Sequence, residues 1–476
     1  MNHDIFNHSF TMTIGGKAIA GTATYTVINP ANGQVIASAP DCSRNELEHA
    51  VTAARAAFPD WAARPISERR VVLRAMADAI DAEIELLARL VTAEQGKPLA
   101  LARGEVGFLS FWLRETARLE LPEIINQDDG QRLSVTRRIP LGVVAAITPW
   151  NYPIAQNSYK IGPAMLAGNT VVLKPSALTP FANLKLGEIL RDVVPAGVLN
   201  IISGTDGLGE WVTSHPGFDK ISFTGSTRTG RLVMASAAKR LTSVTLELGG
   251  NDPAIVLPDV DIKATVEKLF WAAFTNSGQI CLATKRLYVH ADIYDAFAAE
   301  LARYARGVVV GDPLADGVQL GPVSNRRQYD TVVELIRDAQ DKGYRFLTGG
   351  LPDKSATGFF IAPTIIDDPP EDARIVQEEQ FGPVLPVLKF SEVDDVVARA
   401  NASEYGLSAS VWSADAGAAY AIAQRLQAGT VWVNEVLHLS PAVGFGGLKQ
   451  SGLGTESGLA GLLEFTDAQT LTVRRN

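Results

Sequence analysis

A thiol, a carboxylate and a primary amide stand in this chain where each can take part in group transfer. Cys281 closes the string NSGQIC (276–281), in which Gly278 allows a sharp backbone turn and a close approach to a ligand. A cysteine is as often a small buried hydrophobe, and Cys42, which has no such setting, reads as structural. Glu247 ends an apolar run and opens ELGGN (247–251). Most carboxylates are solvated surface charges. One at the end of a buried strand has its pKa raised by apolar surroundings, which suits a general base near neutral pH. Asn151 lies in PWNYP (149–153), where its amide can donate to a developing oxyanion or can merely form the turn between two prolines. Lys174 ends the run TVVLKPS (170–176) and either reaches sugar hydroxyls or is a surface lysine before a turn. FTGSTRTG (223–230) reads as a strand, a glycine-bearing turn and a helix start, whose backbone N–H groups suit a pyrophosphate. Gly225 and Gly230 lack the G-x-G-x-x-G spacing and are a weak signal alone.

Such side chains need rigid elements behind them. From residue 142, short apolar runs (142–148, 170–174, 198–202, 220–223, 243–246) alternate with helical stretches (158–168, 181–193, 206–213, 227–238). That alternation implies a parallel sheet with crossover helices, a doubly wound layout whose ligand lies at the carboxyl ends of the strands. A second alternating block, from about 250 to 430, needs a core of its own. Residues 45–96 read as two helices. The second carries Leu73, Met76, Ile80, Ile84, Leu87 and Val91 on one face, with Ser67 as its N-cap and Gly96 and Pro98 as its stop. The stretches 131–139 and 465–474 alternate as strands. They are candidates for an arm that pairs with another subunit, or for an ordinary hairpin.

The 476 residues imply two or three lobes, and 46% hydrophobic with 20% charged residues is the balance of a globular enzyme. The net charge of −9, with no long basic run, argues against a nucleic-acid partner. Two cysteines cannot form a disulfide framework and point to a reducing compartment. The start, MNHDIFNHSF, has no basic-then-apolar signal, and no apolar run approaches the ~20 residues of a spanning helix. The expectation is a cytoplasmic metabolic enzyme with no membrane partner and no metal site.

Taken in order, PWNYP, LKPS, FTGST, ELGGN, GQIC, EEQFGPV (378–384) and GGLKQSG (446–452) closely resemble the aldehyde dehydrogenase superfamily. The resemblance implies an α/β chain with a doubly wound parallel-sheet cofactor domain (1–120 and 142–246) and a second α/β catalytic domain (247–430). It adds a β-strand oligomerisation arm (121–141 and 453–476) in a homodimer or homotetramer. Cys281 matches the nucleophile, Glu247 the base, and Asn151 the oxyanion amide that works beside the Cys281 N–H. Lys174, with Ser176 and Ala177 after it, falls where the family binds the adenosine ribose. Gly225 and Ser226 fall at the pyrophosphate, Glu379 and Phe381 at the nicotinamide ribose and ring, and Trp150 near the adenine side. The family often has a ribose-binding glutamate where this chain has Ala177. Without that carboxylate a 2′-phosphate is not repelled, so NAD or NADP is expected.

The implied reaction oxidises an aldehyde to a carboxylic acid through a thiohemiacetal and a thioester on Cys281, hydrolysed by Glu247-activated water. Glu247 argues against a relative that passes its acyl group to coenzyme A. The retained Cys281 and Glu247 argue against a non-catalytic relative, and hydrolysis of activated esters would be a side activity. Family tunnel positions fall on Tyr152, Asn157, Ile280, Leu282, His438 and Phe445, with Val436, Leu437 and Leu439 beside them. These are mostly apolar and include no arginine, which suggests a medium-sized apolar or aromatic aldehyde. A semialdehyde whose far end reaches His438 is the competing expectation.

Overall fold

The computed structural model describes residues 3–6 and 9–475, except 354 and 356. Five parallel strands form the centre of the first sheet: Val143–Ile147, Thr170–Lys174, Leu199–Ile201, Lys220–Thr224 and Ser243–Glu247. Across the sheet they run third, second, first, fourth, fifth. The first, second and fourth are buried throughout; the first two read as apolar runs for that reason, while the fourth, KISFT, alternates and buries Lys220 against Ser243 and Glu464. The order reverses between the first and fourth strands, so a crevice opens at their carboxyl ends. Register brings those ends level: Ile147 lies opposite Lys174 and beside Phe223, and Phe223 lies opposite Leu246. The hairpin Met12–Ile14 and Lys17–Ile19 extends one side of the sheet and Gly452–Leu453 closes the other, both as antiparallel additions.

The region 45–96 differs from its sequence reading. It forms three helices, Arg44–Ala63, Ile66–Ala82 and Ile84–Gln95. Leu73, Met76, Ile80, Leu87 and Val91 are all buried in one core, but the chain breaks at Glu83 (φ −116°, ψ 19°). The break has no Gly or Pro to mark it, and both helices present their apolar residues to the same core, so periodicity runs through it. Ser67 lies inside its helix, whose N-cap is Pro65; Ser43 is the serine that caps, in a capping box with Glu46. Gly96 does end its helix, in the left-handed conformation, and Pro98 opens the next, Leu99–Thr116. The stretch 158–168 is likewise two pieces, a 3₁₀ turn (Ala155–Tyr159) and a helix (Ile161–Ala167).

The second lobe is built on a seven-stranded sheet. Thr284–His290 lies between Val384–Phe390 and Asp252–Val256, and every pairing but that of Arg345–Thr348 is parallel. Its faces pack as two cores, one around Leu335 and Leu388 and one around Phe270 and Phe297. The alternating stretches pair with each other: Thr466–Arg474 runs antiparallel to Arg132–Pro140, which forms a hairpin with Ile124–Asp128. This three-stranded sheet leaves Ile125, Leu471 and Val473 exposed. Among the described residues no helix is long and apolar enough to cross a membrane.

Candidate active site

Three consecutive left-handed residues deliver the thiol. After the helix Ile262–Phe274 the chain turns through Asn276 (φ 54°), Ser277 (φ 56°) and Gly278 (φ 73°). A Cβ at Gly278 would lie 2.2 Å from the Gly382 carbonyl oxygen, so the turn requires a residue without one. Buried hydrogen bonds hold the two strained non-glycine residues. Ser277 Oγ donates to Gly321 O (2.7 Å), and Gln279 Nε2 donates to Asn276 O (2.8 Å). Cys281 follows, in the wall of a cavity of about 260 Å³. Cys42 is buried elsewhere and its thiol is pushed up to about 12, chiefly by burial, as a structural cysteine would be.

Glu247 lines the same cavity. It is only 3% exposed, no nitrogen or oxygen donor of the protein reaches either carboxylate oxygen, and the polar group that meets it is the Cys281 thiol. Burial, then the nearby Glu456, pushes its pKa up to about 8. The Cys281 thiol is held well above its ordinary value by burial and by Glu247. A standing thiolate is therefore disfavoured, and the proton has to leave as the sulfur attacks.

Asn151, in the turn after Val143–Ile147, is anchored by its backbone. Its carbonyl accepts from Lys97 Nζ (2.8 Å) and Asn276 Nδ2 (3.1 Å). Its side-chain Nδ2 donates to Gln279 O (2.8 Å), which sets the amide beside the thiol-bearing turn with its second N–H unused. Two buried ion pairs surround this arrangement, and sequence reading misses both. Lys97 pairs with Glu105 (2.5 Å), whose other oxygen accepts from the N–H groups of Ile154 and Ala155. Lys160 pairs with Glu456 (2.7 Å) and donates to Ser222 Oγ (3.1 Å). The second pair joins residues 296 positions apart, which no local pattern can reveal. Glu105 does leave a signal, being a lone carboxylate on the apolar face of Leu99–Thr116.

Of the expected pocket residues, Tyr152, Ile280, Leu282 and Phe445 line the cavity, with Leu437 and Leu439. Asn157 and His438 do not. In the 3₁₀ turn residues three apart stack, so Gln156 and Tyr159 face the cavity while Asn157 turns away and donates to Asn183 Oδ1 (2.7 Å). Leu437 is left-handed (φ 60°), and from there 437 and 439 point in. His438 points out, its side chain 61% exposed beside Glu435. Val436 packs into the neighbouring apolar clusters. Leu101, Gly104, Glu105 and Phe108 complete the lining from one face of Leu99–Thr116, a wall visible in their three-and-four spacing.

The expected cofactor residues gather at the strand ends. Lys174 is buried and donates to Pro175 O (3.2 Å), with Ser176 and Ala177 half-buried after it. Gly225 sits under the Phe223 ring, where a Cβ would approach to 2.6 Å. Ser226 caps the helix Thr227–Ala238 through Thr229 N, leaving the first-turn amides of Thr227 and Arg228 without intrahelical partners. Glu379 Oε1 accepts from Gly250 N (2.9 Å), and Gly249 has room for no Cβ against that carboxylate. Phe381 (φ 49°) meets Trp150 edge to face, 5.4 Å between centroids. Unpaired amides at a helix start, a side-chain-free cradle and a carboxylate for sugar hydroxyls fit a dinucleotide.

Residues 18–471 match the model of the aldehyde dehydrogenase family. A probable aldehyde dehydrogenase of a Pseudomonas species is 43% identical over 98% of this chain and 95% of its own. The NADP(+) succinate-semialdehyde dehydrogenase GabD of Escherichia coli is 40% identical over 94% of each chain. An aldehyde dehydrogenase from Bacillus cereus, solved as an NAD+ complex, superposes with a TM-score of 0.96 at 34% identity, covering 99% of this chain and 98% of that one. With that family match over nearly its whole length and the same fold, this chain belongs to the aldehyde dehydrogenase family and is an oxidoreductase that acts on aldehydes with NAD or NADP.

Proposed function

We propose that Cys281 is the nucleophile, Glu247 the base and Asn151 the oxyanion donor in the oxidation of a medium-sized apolar or aromatic aldehyde to its acid. The observation that carries this reading is Glu247, a buried carboxylate that shares the cavity with the Cys281 thiol and meets it directly, with no nitrogen or oxygen donor of the protein on it.

On this reading Cys281 Sγ bonds to the aldehyde carbon as its proton passes to Glu247. The carbonyl oxygen takes up the negative charge beside the unused N–H of Asn151 and the backbone N–H of Cys281. Glu379 and Phe381 would hold the nicotinamide ribose and ring, with Trp150 packed against Phe381, and the cofactor when bound would supply the hydride acceptor that lets the adduct on Cys281 become a thioester. Glu247, having released its first proton to solvent, then takes one from water. The water oxygen attacks the thioester carbon, the C–S bond breaks, and the thiol regains its proton. Lys174, Ser176, Gly225 and Ser226 would hold the rest of the dinucleotide. Ala177 supports dual use, with kcat/KM for NAD and NADP within about a thousandfold of each other; a wider preference for NAD contradicts it.

The same reading assigns 1–120 and 142–246 to the cofactor, 247–430 to catalysis, and 121–141 with 453–476 to an arm joining subunits of a cytoplasmic homodimer or homotetramer. A semialdehyde substrate is the second reading, favoured by the likeness to the Escherichia coli semialdehyde enzyme.

Intact-mass spectrometry after mixing with aldehyde and cofactor tests the assignment. Glu247→Gln should accumulate an acyl-enzyme, and Cys281→Ala should form none and turn over at background. Wild-type turnover in Glu247→Gln removes the base role. Turnover above a few per cent in Cys281→Ala removes the nucleophile role.

A further inference from the structure

Lys285 is buried in the strand Thr284–His290, an element covered on both faces where an apolar side chain is the ordinary choice. A buried ammonium needs partners for its three N–H groups. Lys285 Nζ has three carbonyl acceptors, Ile280 O (3.0 Å), Cys281 O and Ala283 O (3.4 Å). All three belong to the turn that carries the thiol. On its far side the ammonium lies 3.8 Å from Glu379 Oε1. Asp252, which accepts from Ser408 Oγ, also acts on the same charge. Space is tight above the turn, where a Cβ on Gly250 would lie 3.0 Å from the Cys281 carbonyl oxygen. The lysine is thus what satisfies that carbonyl.

We propose that Lys285 is a positioning residue for the reaction: it pins the thiol-bearing turn through the carbonyls of Ile280, Cys281 and Ala283, and its fixed charge favours the Cys281 thiolate as it forms. The inference rests on Cys281 being the nucleophile. Glu247, Glu456 and Glu105 face the thiol from the cavity walls, with Tyr152 and Tyr159, and Asp252 faces it from the strand beneath. Lys97 and Lys160 are engaged by Glu105 and Glu456. Glu247 and Asp252 oppose the thiolate, and Lys285 is the cation that acts on it in the other direction. Its link to Glu379 also joins the nucleophile turn to the carboxylate that borders ELGGN.

The test uses cofactor-free enzyme and alkylation of Cys281 by iodoacetamide between about pH 6 and about 10, followed by intact mass, because alkylation reads the thiolate directly. Lys285→Gln should alkylate about tenfold more slowly near neutral pH, the change expected when the thiol midpoint rises by about one unit. Lys285→Arg, which keeps the charge, should recover most of the rate. Folded Lys285→Gln with the wild-type rate and midpoint overturns the proposal. If Lys285→Gln does not fold, Glu379→Gln decides. Freeing the ammonium from its anion should speed alkylation severalfold, and an unchanged rate overturns the proposal. Failure of the nucleophile reading would show separately, as turnover in Cys281→Ala.

Discussion

On one side of the cavity, Asn151 and Glu247 stand where parallel strands end, among the buried pairs Lys97–Glu105 and Lys160–Glu456. Elsewhere in its wall, Leu437 and Leu439 project from a half-buried loop, offering apolar surface alone. The first side is directional, since Asn151 is held by Gln279 O and Lys97, and Glu105 and Glu456 are held by their lysines. The second is not, since apolar contact scales with area and has no preferred angle. A molecule that separates the two can hold its reaction geometry while the loop side changes its substrate.

Removing a directional group should therefore cost most. Asn151→Ala is expected to lower turnover by ~10²–10³ with the melting temperature nearly unchanged. Steady-state kinetics beside a thermal melt check this, and a loss under threefold would reduce Asn151 to a turn former. The next largest effect is one of pH. Glu247 titrates at about 8, above the ordinary carboxylate range, and only its ionised form accepts a proton. Deacylation should rise as pH climbs through about 8 and level off above it, falling about tenfold per unit below. Single-turnover measurement of acid release gives the profile, and a flat profile between pH 6 and 9 would mean that another group removes the water proton.

The strand ends are legible in the sequence because most fully buried parallel strands spell apolar runs and the turns after them spell glycine motifs. Glu247 and Asn151 sit at such strand ends, and Cys281 on a glycine-bearing turn after the helix Ile262–Phe274, so the same motifs mark both fold and chemistry. The break at Glu83 is not legible, since two helices that share one core keep one apolar rhythm across it. Lys160 and Glu456 escape notice because their meaning lies in a partner far along the chain. His438 and Asn157 are misplaced for a third reason. Position in a motif does not say which way a side chain points, and the left-handed Leu437 and the 3₁₀ turn at 155–159 decide that locally.

The smallest effect should come from the apolar wall, and it separates the two substrate readings. Each CH₂ of a linear aldehyde that reaches apolar surface contributes ~0.8 kcal/mol, about fourfold in kcat/KM. From acetaldehyde to hexanal, kcat/KM should climb by that step until the cavity is filled. Leu439→Ala, on the half-buried loop rather than in a core, should flatten the climb for the longer aldehydes and leave acetaldehyde almost unaffected. No arginine lines the cavity among the described residues, and Glu105 and Glu456 are engaged by lysines, so little there rewards a second carboxylate on the substrate. Benzaldehyde and hexanal should thus outperform succinic semialdehyde. If the semialdehyde has the highest kcat/KM by about tenfold or more, a difference of about 1.4 kcal/mol, a polar group outside this wall is selecting the substrate and the apolar reading is wrong.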